Sequence, residues 1–234
     1  MGGGGTGRDT MLSGAPMIDT RLRPPTRREW LQRAVAAPFL PRPRANRILL
    51  VWLGGGLSHL DTFDLKPEAP EQVRGVFREI PTSAPGIRIC EHLPRIARRM
   101  HKLTLVRSMT ASDNHHQRAS ALFDALCADA CAQPAWPWLA WDAHRDIFPA
   151  LRDRLLPSFD AGLAGLLDRL EADGELSSTL VIATGEFGRT PLINRDGGRD
   201  HHARAWTAVL AGAGLTGGRV IGATDGWGME PAED

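Results

Sequence analysis

The chain has 234 residues, 42% of them hydrophobic and 24% charged, with three cysteines and a formal charge of +1. Ordinary globular usage of this kind excludes wholesale disorder, and three cysteines are too few for a disulfide scaffold. No run reaches the ~18 uninterrupted apolar residues of a membrane span.

The near-neutral charge divides unevenly. Residues 1–47 hold nine arginines against Asp9, Asp19 and Glu29, a balance of +6, and the remaining 19 basic and 24 acidic residues balance at −5. A basic leader on an acidic body suggests a targeting segment, whereas a nucleic-acid binder carries its basic surface on the folded domain. Within the leader, Thr26-Arg27-Arg28-Glu29-Trp30-Leu31 precedes the apolar stretch Ala34 to Leu40. An arginine pair followed by a bulky apolar residue and a short hydrophobic region resembles a twin-arginine export signal. A basic amphipathic patch is the plainer alternative.

Past the leader, Ile48 to Leu53 is a continuous apolar run ending in Gly54-Gly55-Gly56, the pattern of a buried parallel strand leaving into a tight turn. A helical stretch is predicted from Leu93 to about His101, then a short strand from Leu103 to Val106. Leu151, Leu155, Phe159, Leu163, Leu166, Leu167 and Leu170 recur at helical spacing and predict an amphipathic helix ending near Gly174. Pro157 should kink or divide it. Thr179 to Thr184 and Trp206 to Leu210 read as two further buried strands. Strands alternating with helices predict an α/β domain with a mostly parallel sheet.

The polar clusters gather just past strand ends, where open α/β sheets bind ligands. They are Ser58-His59-Leu60-Asp61-Thr62-Phe63-Asp64, Asp113-Asn114-His115-His116, Trp141-Asp142-Ala143-His144, Gly185-Glu186-Phe187-Gly188-Arg189 and Gly198-Arg199-Asp200-His201-His202. Carboxylates and imidazoles collected from several strand ends are what a metallohydrolase uses to hold Zn²⁺, Mn²⁺ or Ca²⁺. Each cluster also has a plain reading: His59 as a hydrogen-bonded histidine, Asp142 as a helix cap, Gly198-Arg199-Asp200 as a polar loop. The triple glycine lacks a Walker lysine and the G-x-G-x-x-G spacing, and no G-x-S-x-G elbow is present.

Together these motifs resemble one group. The run Leu53-Gly54-Gly55-Gly56-Leu57-Ser58-His59-Leu60-Asp61-Thr62-Phe63-Asp64 with Lys66-Pro67, the segments Pro85-Gly86-Ile87-Arg88-Ile89 and Glu91-His92-Leu93-Pro94, and Ser112-Asp113-Asn114-His115 carry the likeness. So do Trp141-Asp142-Ala143-His144, Gly185-Glu186-Phe187-Gly188-Arg189-Thr190-Pro191 and Gly197-Gly198-Arg199-Asp200-His201. The chain resembles the uncharacterised, Tat-exported, sulfatase-like family of the alkaline phosphatase superfamily. The resemblance implies an alkaline-phosphatase-like three-layer α/β/α fold. It also implies a divalent metal on Asp61, Asp142, His144, Glu186 and His201, and a nucleophile at Thr110 or Ser112. Asn114 and Arg189 are the implied donors to the equatorial oxygens of a phosphate or sulfate ester. The implied substrate is a small-molecule or polysaccharide ester, and the implied partner is the Tat export machinery, which delivers the protein to the periplasm.

The chain departs from this pattern in two places. Glu186 stands where phosphatases and sulfatases carry Asp-His, so one histidine ligand is missing there. Only Gln117 to Leu139 separates the His115 motif from Trp141-Asp142-Ala143-His144, where relatives hold a long central region. The expected organisation is a leader (1–47), an N-terminal part (48–126), a junction with the centre missing (127–139) and a C-terminal part (140–234), so the three-layer fold is expected to be incomplete. An exported metal-dependent ester hydrolase is the leading expectation. A non-catalytic metal- or glycan-binding protein and an inactive truncated remnant are its alternatives.

Overall fold

The computed structural model describes residues 45–111, 113–116 and 140–233. The predicted leader as far as residue 44, Ser112 and the junction 127–139 lie outside them. In chain order the described elements begin with β1 (Arg47–Trp52), the short helix α1 (Glu71–Arg74), the hairpin β2 (Glu79–Pro81) and β3 (Arg88–Cys90), and α2 (Pro94–Ala97). A 3₁₀ turn at Met100–Lys102 leads into β4 (Leu103–Met109). Next come α3 (Ile147–Ala150), a π-helical turn at Leu151–Leu155 and α4 (Leu156–Ala172). The chain then forms β5 (Thr179–Thr184), a hairpin of β6 (Gly188–Arg189) and β7 (His201–His202), and β8 (Trp206–Gly212). It ends in β9 (Arg219–Ile221), β10 (Ala223–Thr224) and β11 (Pro231–Glu233).

The central sheet has five strands in the order β1-β5-β8-β4-β9. β1 pairs parallel to β5 and β4 parallel to β9, but β8 runs antiparallel to both of its neighbours, β5 and β4. This corrects the expectation of a mostly parallel, three-layer α/β/α fold: the sheet is mixed. A parallel pairing needs a long crossover, usually a helix, to carry the chain back across the sheet. Between Thr184 and Trp206 the chain holds only loops and the β6–β7 hairpin, so β8 enters from the edge at which β5 left and runs the opposite way.

The layer count is corrected too. Leu49, Val51, Val181, Ala183, Leu103, Leu105, Val209 and Ala211 lie on one face by register and share one core cluster with Leu155, Phe159, Leu163 and Leu167 of the π-turn and α4. The α2 residues Ile96 and Ala97 and the α3 residue Ile147 join that same cluster. On the opposite face Leu50, Leu180, Ile182 and Leu210 are only half-buried and Ile48 is exposed. No described helix forms a second layer there.

Pro157 divides the long apolar helix as predicted, and the device is the π-turn. Proline has no N–H, and its ring clashes with the carbonyl four residues back, so the wider turn just before it relieves both problems. Leu93 to His101 is shorter than expected, breaking into α2 and the 3₁₀ turn. No described helix is long and apolar enough to cross a membrane.

Candidate metal centre

Because β8 alone is reversed, β1, β4 and β5 all end at the same sheet edge, where β8 begins. Four segments meet there. β1 leads into Gly54-Gly55-Gly56, β4 into Thr110 to His116, β5 into Glu186 and β6, while β7 lies just before β8. The Trp141–His144 segment is fastened to this edge by Trp141 N–H donating to Gly54 O at 3.1 Å. The glycines make the approach possible. A Cβ on Gly55 (φ 107°) would sit 2.3 Å from the Asp142 nitrogen.

The segments bring one carboxylate and three imidazoles together. His116, Asp142 and His201 each offer a ligand atom within 4.8 Å of the others. His144 is not a member of that mutual group, but its Nε2 borders it, 3.0 Å from Asp142 Oδ1 and 3.0 Å from His201 Nε2. His201 Nε2 lies 3.1 Å and His116 Nε2 3.5 Å from the Asp142 carboxylate. Bonds of about 2.0–2.1 Å to a tetrahedral Zn²⁺ place ligand atoms about 3.3 Å apart, close to these spacings.

Each imidazole has its other nitrogen committed. His116 Nδ1 donates to Glu186 Oε1 at 2.5 Å, His144 Nδ1 to Asp200 Oδ1 at 2.7 Å, and His201 Nδ1 to the Asn114 carbonyl at 2.8 Å. An imidazole that donates through Nδ1 presents the Nε2 lone pair, the tautomer a metal requires. His116 Nε2 is buried with no hydrogen bond, and Glu186 Oε2 is orphaned in the same way. The facing His144 and His201 Nε2 lone pairs repel unless a proton or a cation lies between them. The donor set therefore fits a divalent cation.

Electrostatics hold the carboxylate ready. Burial by itself would raise the Asp142 carboxyl, but the Arg189 hydrogen bond and charge, with His201 and His144, outweigh it and hold it at about 2. Burial lowers His201, only partly opposed by Asp142 and the Asn114 carbonyl, which favours the neutral ring. The His144 hydrogen bond holds Asp200 below the usual carboxylate range. Arg189 is fully buried. Its guanidinium donates to Asp142 Oδ1 and to the carbonyls of Gly55, Gly56 (3.2 Å) and Arg199 (2.9 Å), fixing the Asp142 carboxylate to the glycine turn.

The family model described as "Protein of unknown function (DUF1501)" matches residues 45–135 and 131–234. The chain belongs to the DUF1501 family. No curated protein and no solved structure matches it. All four converging residues of the DUF1501 chain fall within the matched segments, His116 in the first and Asp142, His144 and His201 in the second.

The other residues singled out from the sequence are placed differently in the DUF1501 chain. Glu186 sits behind His116, its Oε1 also accepting Gly55 N–H at 2.8 Å. Asp61 is fully buried and outside the ligand group: both oxygens accept from Arg199, at 2.8 and 3.0 Å, and Oδ2 also accepts from Ser58 at 2.5 Å. Asn114 reaches the cluster through its backbone carbonyl. Arg189 faces inward. Thr110 is exposed at the end of β4, and Ser112 lies outside the described residues. The sequence reading missed three contributors: His116 as a candidate ligand, Asp200 as the hydrogen-bond partner of His144, and Arg199 as the partner of Asp61. The signal for His116 was in the Asp113-Asn114-His115-His116 cluster, but adjacent histidines point apart. His115 turns to Asp113 Oδ1 at 2.7 Å and stays exposed, while His116 turns inward.

Proposed function

We propose that this DUF1501 protein is an exported, sulfatase-like, metal-dependent hydrolase of phosphate or sulfate esters, with one divalent cation held by His116, Asp142, His144 and His201. The single observation carrying this reading is the convergence of three Nε2 lone pairs, each fixed through Nδ1, on one Asp142 carboxylate kept ionised by Arg189. An imidazole-rich set with a single carboxylate favours Zn²⁺ or Mn²⁺ over Ca²⁺, which prefers an all-oxygen shell. Once bound, the cation supplies Lewis-acid polarisation of an ester oxygen and a water of lowered pKa.

The protein's own residues supply the positioning. Glu186, Asp200 and the Asn114 carbonyl keep the three imidazoles in the metal-binding tautomer, and Arg189 keeps Asp142 ionised and in place. His144 and His201 remain partly exposed, leaving a side open for substrate. Thr110, exposed at the end of β4, is the candidate nucleophile together with Ser112. Export rests on the leader and on the family resemblance.

A second reading, a metal-binding member without turnover, is favoured by the engagement of Arg189 with backbone carbonyls and Asp142, which keeps it from a substrate oxyanion. Elemental analysis of the purified full chain, paired with turnover of 4-nitrophenyl phosphate and sulfate, separates the two. The expected result is stoichiometric metal in the parent, lost in His201→Ala and Asp142→Asn, with turnover lost but metal kept in Thr110→Ala or Ser112→Ala. Metal-free parent protein, or variants retaining full metal, would overturn the metal centre. Full metal without turnover would select the second reading.

A further inference from the structure

A second charged concavity lies on the β1–β2 connection, outside the metal centre. Lys66, α1 and the chain from Phe77 to Glu79 line a cavity of about 260 Å³ whose apolar wall is Leu65 and the Phe77 ring. That ring is buried and locked edge-on between His92 (4.6 Å between centroids) and Phe148 (5.4 Å). Three cations stand around it: Lys66, Arg74 and Arg78.

The local charges leave this concavity with a positive excess. Lys66 Nζ is only 3.2 Å from Asp64, but Arg107 is 3.3 Å from the same carboxylate, so one anion serves two cations. Glu79, the acid in the lining, is paired with Arg88. Glu91 Oε1 accepts the Arg78 backbone N–H at 2.9 Å, but neither Glu91 nor the nearby Glu68 and Glu71 forms an ion pair with the Arg74 or Arg78 guanidinium among the described residues. Both guanidiniums are exposed and carry no partner there.

We propose that this cavity is a binding pocket for a tetrahedral oxyanion, a phosphate or sulfate group, clasped by Arg74 and Arg78 with Lys66 as a fixed point charge. Guanidinium groups present paired N–H donors that match such oxygens, and the apolar wall strengthens the attraction by lowering the local dielectric. The cavity is larger than a bare oxyanion, leaving room for the molecule that bears it. Lys66 is anchored before any ligand arrives, with its side chain only 16% exposed, so little ordering is required of it.

Calorimetric titration of the full chain at low ionic strength, with inorganic phosphate and separately with dextran sulfate, tests the pocket. The His201→Ala variant removes binding at the metal centre, and the double variant R74Q/R78Q removes the clasp while changing only exposed side chains. Saturable binding should persist in His201→Ala and weaken roughly tenfold or more in R74Q/R78Q, as expected when two charge-assisted contacts are lost. It should also weaken as salt is added. Binding of phosphate indicates that the free ion suffices, and binding of dextran sulfate alone indicates a group carried on a polymer. Either result supports the pocket. Affinity unchanged in R74Q/R78Q, affinity abolished by His201→Ala alone, or no binding of either probe would overturn it. Metal content and circular dichroism of R74Q/R78Q, both expected to match the parent, keep this outcome separate from failure of the metal centre.

Discussion

His59 shows what a single buried side chain contributes. It is fully enclosed, Nε2–H donates to the Gly228 carbonyl at 2.9 Å, and Nδ1 has no partner among the described residues. Burial pushes its pKa from the ordinary 6.5 down to about 4, with Asp64 opposing only in part. As pH falls, the unfolded chain takes up this proton first. The stability His59 contributes is therefore complete above about pH 6.5 and is lost as pH falls towards 4, at up to roughly 1.4 kcal/mol per unit. Denaturant titrations across this window should show a falling midpoint that is shallower in His59→Gln. An identical slope in the variant would place the acid sensitivity elsewhere. Two other buried groups, Arg199 and Asp61, illustrate a different residue-level fact. Their pairing satisfies a charge that is costly to bury alone, and it commits both Asp61 oxygens to Arg199.

At the scale of elements, the turn after β1 carries the most consequence. Its glycines let the backbone of Trp141 and Asp142 lie directly against it, and Arg189 ties its carbonyls to the Asp142 carboxylate. Gly55→Ala should destabilise the fold by about 1–3 kcal/mol or more through backbone strain and collision, and should weaken metal binding by displacing Asp142. Gly86→Ala is the internal comparison. Gly86 also has a positive φ (81°) but nothing within 4 Å of a new Cβ, so it carries the conformational cost without the collision. Equal losses of metal affinity in the two variants would show that close approach at Gly55 is unimportant. Strand β5 was legible to the residue, from Thr179 to Thr184, because β-branched and apolar residues there alternate into the core. The direction of β8 was not legible, since a strand's own composition carries no record of which way its neighbour runs.

Across the whole molecule, the candidate centre draws its residues from three separate segments at one sheet edge, so metal binding and folding should be linked. A ligand that binds only the folded chain stabilises it by about 2.7 kcal/mol when free ligand is 100 times Kd. Adding Zn²⁺ to chelator-treated protein should raise the thermal midpoint of the parent and leave His201→Ala unmoved. A rise of the same size in both would place the stabilising ion at another site. The described sheet is covered by helices on one face only, which is why a three-layer expectation built on strand and helix alternation does not hold.

The amino-acid sequence by itself located four of the five central strands and the long helix, and it determined where Pro157 interrupts that helix and that histidines and carboxylates gather at strand ends. Those features follow from local periodicity, apolar runs and glycine or proline chemistry within a few residues. Only the tertiary structure decided that β8 is reversed, that the described helices cover a single face, and that His116 comes together with Asp142, His144 and His201 while Asp61 pairs with Arg199 across 138 residues. Each of those outcomes depends on which distant side chain neutralises or orients which, and such pairings are selected by how the chain crosses the sheet.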